Sequence, residues 1–507
     1  MRSNRSVANA MFPTFTRSTP LLAAVVYGSV FLAACAPDKA PMPPSASPSA
    51  TQSASIAKPN AIAHAVTPPV NVAEIDSLIQ HVVADKHLVG LSVGVMQDGQ
   101  LVLAKGYGVR SMEPSEPVTT STMFPIGSVT KEFTCSAALL LQQDGKLSMT
   151  DRVAKYVPAA TRAPDITLLD LGQHVSGFRD YYPLDFVVRE MQKPESADTI
   201  IARYASRPLD FEPGTRWSYS NTNFLILGKA IEQASGQSIA TVFNERIFKP
   251  LGMTRTAFDP PATDTGLSHG YTTYALAKPT PALPEARGWT GAAGAIYSTP
   301  TDLLKWDLAL MDGKILSPAS FATLTTARTL SDGRSTGYGC GLSVQTAGNA
   351  VVLSHGGAVA GSVAQNILIP STRSAVAVVA NADFASTGEI TSALIAKLTP
   401  QADVPKVVGL SALDAAQAFL SQLEQGKIDR GTLGDDFNAL LTDKHVADDR
   451  ASLAAVGRIS DVRVVRTVER GGMEVAAVQF KVGTTNAGSS MYRTPDGKIQ
   501  QFLINRQ

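Results

Sequence analysis

Cysteine is scarce, with three in 507 residues. Positions 35, 135 and 340 cannot build the disulfide framework of a small secreted scaffold, and no Cys, His, Asp or Glu set shows metal-ligand spacing. The chain therefore calls for neither metal nor cofactor. An excess of charge is missing too: 44 Lys and Arg against 43 Asp and Glu leave a net +1, no footprint for nucleic acid or a strongly anionic surface. The apolar run over 21–34 is too short to cross a bilayer as a helix. Large apolar residues nearly vanish over 36–71, where Pro, Ser, Ala and Thr dominate, so that stretch cannot bury enough surface to fold.

What is present begins with an export pattern. Arg2, Arg5 and Arg17 precede the 21–34 run, which ends in Leu32-Ala33-Ala34-Cys35. This ending resembles the lipobox of bacterial lipoproteins. The resemblance implies a signal peptide over 1–35, lipidation of Cys35, and attachment to a bacterial membrane through that anchor. With Ala36 rather than Asp next, it implies the periplasmic side of the outer membrane over the inner one. Residues 36–71 then serve as a disordered tether.

The folded part is expected from residue 72. Val72, Ile75, Leu78, Ile79, Val82 and Val83 recur at the spacing of an amphipathic helix, and two alternating runs around Asp98-Gly99 predict a hairpin. Strands are expected over 338–344, 351–354, 363–369 and 375–381. The pattern restarts beyond 405 with a capped helix at Ser411-Ala412-Leu413-Asp414, a second helical segment and four strands between 462 and 504. This predicts a separate small α+β domain over 405–507 with no catalytic constellation.

The chemistry centres on Gly127-Ser128-Val129-Thr130-Lys131, a turn leading into an apolar run with no breaker before Asp144-Gly145. One helical turn sets Lys131 beside the Ser128 hydroxyl, and a helix mouth aims free N–H groups at whatever the serine attacks. Ser-x-x-Lys alone is weak: Ser55-Ile56-Ala57-Lys58 also fits, inside the tether. Gly90-Leu91-Ser92-Val93-Gly94 matches a nucleophile elbow, but its serine lies within a hairpin strand and reads as structural. His174, between a helix end and Ser176-Gly177, likewise reads as structural. Cys135 and Cys340 are expected to be two inert core thiols rather than a bridge. Two further signals stand out, Tyr219-Ser220-Asn221 and His355-Gly356-Gly357.

Ser-x-x-Lys, Tyr-x-Asn and His-x-Gly in this order resemble the serine β-lactamase and penicillin-binding family, in the branch of class C β-lactamases, DD-peptidases and β-lactamase-like esterases. The resemblance covers 72–400 and implies an α/β fold in which an antiparallel sheet flanked by helices meets a mainly helical lobe, with the site between them. It implies Ser128 as nucleophile, Lys131 as its activating neighbour and Tyr219 as proton shuttle. Asn221 would orient substrate and Lys131, and His355, Gly356 and Gly357 would form the strand facing the nucleophile. The N–H groups of Ser128 and Ala358 would form the oxyanion hole. Either Lys131 or Tyr219 could be the base. Histidine stands where many β-lactamases carry lysine, and an ordinary histidine is largely neutral at pH 7. The implied reaction is therefore hydrolysis of carboxylic esters or D-amino-acid peptides. A weak β-lactamase, a DD-carboxypeptidase and a non-catalytic envelope sensor of peptidoglycan fragments or β-lactams are the alternatives.

Overall fold

The computed structural model describes residues 67–275, 277–347, 350–385, 387–399 and 404–506. The expected signal peptide with Cys35, the Ser55-x-x-Lys58 match and the tether up to 66 lie outside them. The tether's last residues are ordered. The Gln97 side chain donates to Thr67 Oγ1 (2.8 Å) and the Pro68 carbonyl (2.7 Å) and accepts from Val70 N–H (2.9 Å), so folded structure begins before residue 72.

Seven strands form one antiparallel sheet in the order Ser115–Pro117, Gln100–Met112, Gly90–Gln97, Ser374–Ala380, Ser362–Ile369, Ala350–Val359 and Ser343–Ala347. The first hairpin turns at Asp98 and Gly99, whose φ values of 49° and 71° fit the mirror-image turn that a right-twisted hairpin favours. The two central strands are buried along their whole length because both faces are covered. Their side chains alternate accordingly. Ala375, Ala377 and Val379 join the core containing Leu303, Leu304 and Trp306 of the helix Pro300–Met311. Val376, Val378 and Ala380 join the opposite core, with Ile75, Ile79 and Val82 of the helix Val72–Asp85 and Ile390 and Leu394 of Gly388–Leu398. Ser92 is buried within a strand paired on both sides, opposite Val379 and Gly106, as expected of a structural residue.

The helical lobe is built around Thr130–Gln143, buried on nearly all sides, which stops at Asp144 with Gly145 at φ 70°. Phe133 stacks on Trp306 at 4.5 Å between centroids, and Phe224, Leu225 and Ile226 of Asn221–Ser235 fill the same core.

Two expectations need correction. Cys135 and Cys340 form a disulfide, not two free thiols. They are 205 positions apart in sequence, and the glycines beside Cys340 bring them together. Gly341 crosses the helix Thr130–Gln143 so closely that a Cβ there would lie 2.5 Å from the Lys131 carbonyl. The same crossing makes 338–342 a turn, so the strand starts at Ser343. The second correction concerns the strand expected over 351–354, which runs from Ala350 to Val359 and so includes His355-Gly356-Gly357, as the resemblance implies.

Residues 412–506 contain the helices Ala412–Gln425 and Asp443–Val456 and the antiparallel strands Ile459–Arg470, Met473–Val482, Thr485–Arg493 and Ile499–Phe502. Phe419, Phe480, Met491 and Phe502 belong to a core of their own.

Candidate active site

Ser128 sits in the single turn Gly127–Val129 that feeds the helix Thr130–Gln143. Its Oγ accepts a hydrogen bond from Tyr219 OH at 2.7 Å and lies 3.0 Å from Lys131 Nζ. Lys131 has no exposed surface. Its other neighbours are Asn221 Oδ1 at 2.8 Å and the Ala293 carbonyl at 2.9 Å. Burial lowers the ammonium pKa to about 7, against the charge of Asp180, which raises it. The same burial pushes the Tyr219 phenol above its ordinary value, despite its bond to Ser128.

The Tyr-x-Asn segment is fixed where the helix Asn221–Ser235 begins. Ser220 provides no side-chain cap, so the orphan N–H groups turn to neighbouring loops. Ser220 N–H donates to His174 Nδ1 (3.1 Å) and Asn221 N–H to Asp180 Oδ1 (3.0 Å). His174 is fully buried, its ring 4.3 Å from that of Tyr219. It braces the tyrosine and makes no hydrogen bond to Ser128, a structural role as the sequence suggests.

The strand Ala350–Val359 supplies the opposite wall. Its outer neighbour pairs only as far as Ser354 opposite Ser343, leaving the edge from His355 to Val359 open. Ser128's turn packs on the face of this strand, beside that edge. A Cβ on Gly357 would lie 1.9 Å from the Ile126 carbonyl and 3.1 Å from Ser128 N, and one on Gly127, at φ 50°, would lie 2.8 Å from Ala358 N. Only glycine permits this approach, and it brings the backbone of Ser128 and that of Ala358 close together.

His355 is used differently from a substrate-binding cation. Its Nδ1 lies 2.5 Å from the Gly356 carbonyl, which can only accept, so Nδ1 carries the hydrogen and Nε2 accepts from Tyr338 OH at 2.7 Å. Burial, and then the charge on Lys131, lower its pKa to about 3. The histidine is neutral, and both nitrogens are occupied within the protein.

The structure thus brings together Ser128, Lys131, Tyr219, Asn221 and the strand from His355 to Ala358. Sequence reasoning missed Tyr338, Asp180 and the Ala293 carbonyl. Asp180 follows the Ser176-Gly177 turn by only a few residues, the one local hint of its place; the others depend on tertiary contact alone.

A serine at a helix mouth, packed on the face of a strand beside its open edge, is the arrangement of the penicillin-binding and β-lactamase-like fold class. The sequence model of the Beta-lactamase family matches residues 75–399, and the chain belongs to that family. It is 33% identical over 280 residues to a D-aminopeptidase of Brucella anthropi, covering 54% of this chain and 52% of that protein. It is 30% identical over 310 residues to a D-aminopeptidase of Gluconobacter oxydans, covering 60% and 58%. The chain therefore spans a little over half the length of these relatives. Among solved structures, the D-amino acid amidase from Ochrobactrum anthropi SV3 complexed with D-phenylalanine matches with a TM-score of 0.56 at 22% identity, over 64% of this chain and 99% of that one. The octameric penicillin-binding protein homologue from Pyrococcus abyssi matches with a TM-score of 0.57 at 22% identity, over 86% and 100%. These two likenesses concern the fold.

Proposed function

We propose that this protein is a serine hydrolase that cleaves D-amino-acid peptides or amides, and simple carboxylic esters, through an acyl-enzyme on Ser128. The observation that carries the reading is the Ser128 hydroxyl held between Tyr219 OH at 2.7 Å and a fully buried Lys131 amine at 3.0 Å. A serine hydroxyl needs a base before it attacks. With its pKa lowered to about 7, a substantial fraction of Lys131 is a neutral amine at pH 7. Tyr219, pushed the other way, stays a phenol and is the weaker candidate. Lys131 therefore takes the Ser128 proton as Oγ bonds to the substrate carbonyl carbon. The oxyanion forms against the amides of Ser128 and Ala358. As the carbonyl C–N or C–O bond breaks, the proton passes from Lys131 through Tyr219 to the leaving group. Water, giving its proton back by the same route, then releases the acid.

Substrate choice follows from His355. A neutral histidine with both nitrogens engaged offers no permanent cation for a β-lactam or C-terminal carboxylate, which disfavours the β-lactamase and DD-carboxypeptidase alternatives. The D-aminopeptidase relatives support amides of D-amino acids. An intact Ser-Lys-Tyr cluster is superfluous in a non-catalytic sensor. The test is hydrolysis of p-nitroanilides of D- and L-alanine, p-nitrophenyl butyrate, a D-Ala-D-Ala peptide and a penicillin. Turnover of the D-anilide and the ester is expected; turnover of the penicillin alone would contradict the reading.

Export with a lipid anchor at Cys35 is part of the same proposal. Its support is the Arg-flanked run over 21–34, the Leu32-Ala33-Ala34-Cys35 ending, and a Cys135–Cys340 disulfide suited to an oxidising compartment. Ala36 favours the outer membrane. Labelling with radioactive palmitate, lost in Cys35→Ala, tests the anchor.

A further inference from the structure

The mechanism asks more of Lys131 than a suitable pKa. A neutral amine has two N–H bonds and one lone pair, and it accepts a proton only through the lone pair. Three protein oxygens surround Nζ: Asn221 Oδ1, the Ala293 carbonyl and Ser128 Oγ. The carbonyl of Ala293 accepts one N–H. If Asn221 presents its oxygen it accepts the other, and the lone pair is left facing Ser128. If the amide were reversed, its NH₂ would compete for that lone pair and an N–H of the lysine would point at the serine.

What decides the amide's direction is Asp180. A carboxylate only accepts. Asp180 Oδ2 lies 3.2 Å from Asn221 Nδ2, and Oδ1 accepts the backbone N–H groups of Asn221 (3.0 Å) and Tyr182 (3.0 Å). Every lone pair so used is aimed at a donor, so Asn221 must turn its Nδ2 toward Asp180 and its oxygen toward Lys131. We propose that Asp180 is the positioning residue of this site: by fixing the Asn221 amide it aims the Lys131 lone pair at Ser128. The inference rests on the reading of Lys131 as base.

The electrostatics agree. The titratable groups facing Lys131 are Tyr219, His174, His355 and Asp180. Burial keeps both histidines neutral and the phenol protonated, so Asp180 is the one anion among them acting on the amine, and it raises the pKa of Lys131.

The experiment measures the rate of Ser128 phosphonylation by a fluorophosphonate across pH, which requires no knowledge of the natural substrate. In Asp180→Asn the new NH₂ meets that of Asn221, so one amide must reverse. The maximal rate should fall roughly a hundredfold, the loss of a general base's contribution, and the acid limb should move to lower pH as the anion is lost. The double variant Asp180→Asn with Asn221→Asp restores every donor-acceptor match: residue 180 donates to residue 221, which accepts from Lys131. It should recover at least about tenfold of the lost rate, and its acid limb should lie at higher pH than wild type, because the carboxylate now touches the amine. A merely structural role for Asp180 would not move the limb in opposite directions in the two variants. Thermal melts establish folding; if the single variant does not fold, the double variant's limb decides alone. A folded Asp180→Asn protein with wild-type rate and limb would overturn the proposal, as would a double variant whose limb stays at the wild-type pH. Failure of wild type to hydrolyse any anilide or ester while still labelling on Ser128 would instead refute the proposed function and leave this inference standing.

Discussion

At the scale of single residues, the account depends on opposite shifts in two neighbouring groups. Burial favours the neutral form of both: it lowers the Lys131 ammonium and raises the Tyr219 phenol. The lysine is thus available as base near neutrality while the tyrosine is not. The value of kcat/KM for an ester should accordingly rise with pH through an ionisation near 7, and Lys131→Arg, whose guanidinium does not deprotonate, should be inactive at every pH. A wild-type profile with no ionisation near 7 would contradict Lys131 as the base. Ser128→Ala should abolish turnover while Ser92→Ala, altering a residue buried between strands, leaves it nearly unchanged in an ester assay. The residues that carry these expectations were legible in the sequence because each motif is local. Ser128 and Lys131 share a helical turn, and Tyr219 and Asn221 are two positions apart. Asp180 and Tyr338 were not, because each acts on a residue brought near only by folding.

At the scale of elements, the decisive contact is between the turn Gly127–Val129 and the face of the strand Ala350–Val359. Sequence patterning ended that strand at 354 because a glycine pair reads as a break. The fold uses the pair to let one backbone pass another, with room for no Cβ at Gly357. Gly357→Ala should therefore separate the turn from the strand. The expected result is loss of most activity, with about 1–3 kcal/mol of destabilisation from overpacking, read by turnover and by denaturant midpoint. Activity retained at wild-type level would mean that this close approach is not needed for turnover.

The helix Thr130–Gln143 also carries a buried acid that the proposed chemistry does not use. Asn366 donates to Glu132 Oε2 at 3.1 Å and to Asp307 Oδ1 at 2.8 Å, and Trp306 donates to Glu132 at 3.2 Å. No cation pairs with either carboxyl among the described residues. Burial raises Glu132 to about 8 and, with Glu132's charge added, holds Asp307 well above its ordinary value. The folded state therefore binds protons more tightly than the unfolded chain. The stability this contributes is fully present below about pH 4.5 and is lost as pH rises through about 8, at no more than about 1.4 kcal/mol per pH unit for one proton. Glu132→Gln should flatten the decline of melting temperature between those limits; an unchanged slope would show that Glu132 does not hold the proton.

For the whole molecule, alternation along the central strands divides the catalytic region into two cores, one shared with the nucleophile helix and one behind the sheet. Helix and strand periodicity made much of this readable: the first helix, the first hairpin and the antiparallel strands expected at 363–369 and 375–381, found at Ser362–Ile369 and Ser374–Ala380, follow the patterning. The Cys135–Cys340 bond was not readable, because nothing local relates two cysteines 205 positions apart. It joins the nucleophile helix to the segment that carries Tyr338, and so to His355. Replacing both cysteines with alanine should lower stability by about 2–5 kcal/mol, seen as a reduced denaturant midpoint, whereas an unchanged midpoint would mean the bond does not form in the native protein.

The central claim is that chemistry begins at Ser128. Intact-protein mass spectrometry after exposure to a fluorophosphonate, followed by peptide mapping, tests it most directly. The account predicts one adduct per chain, on the peptide containing Ser128, formed faster as pH rises through 7 and absent in Ser128→Ala. An adduct on any other serine, Ser92 included, or undiminished labelling of Ser128→Ala would contradict it.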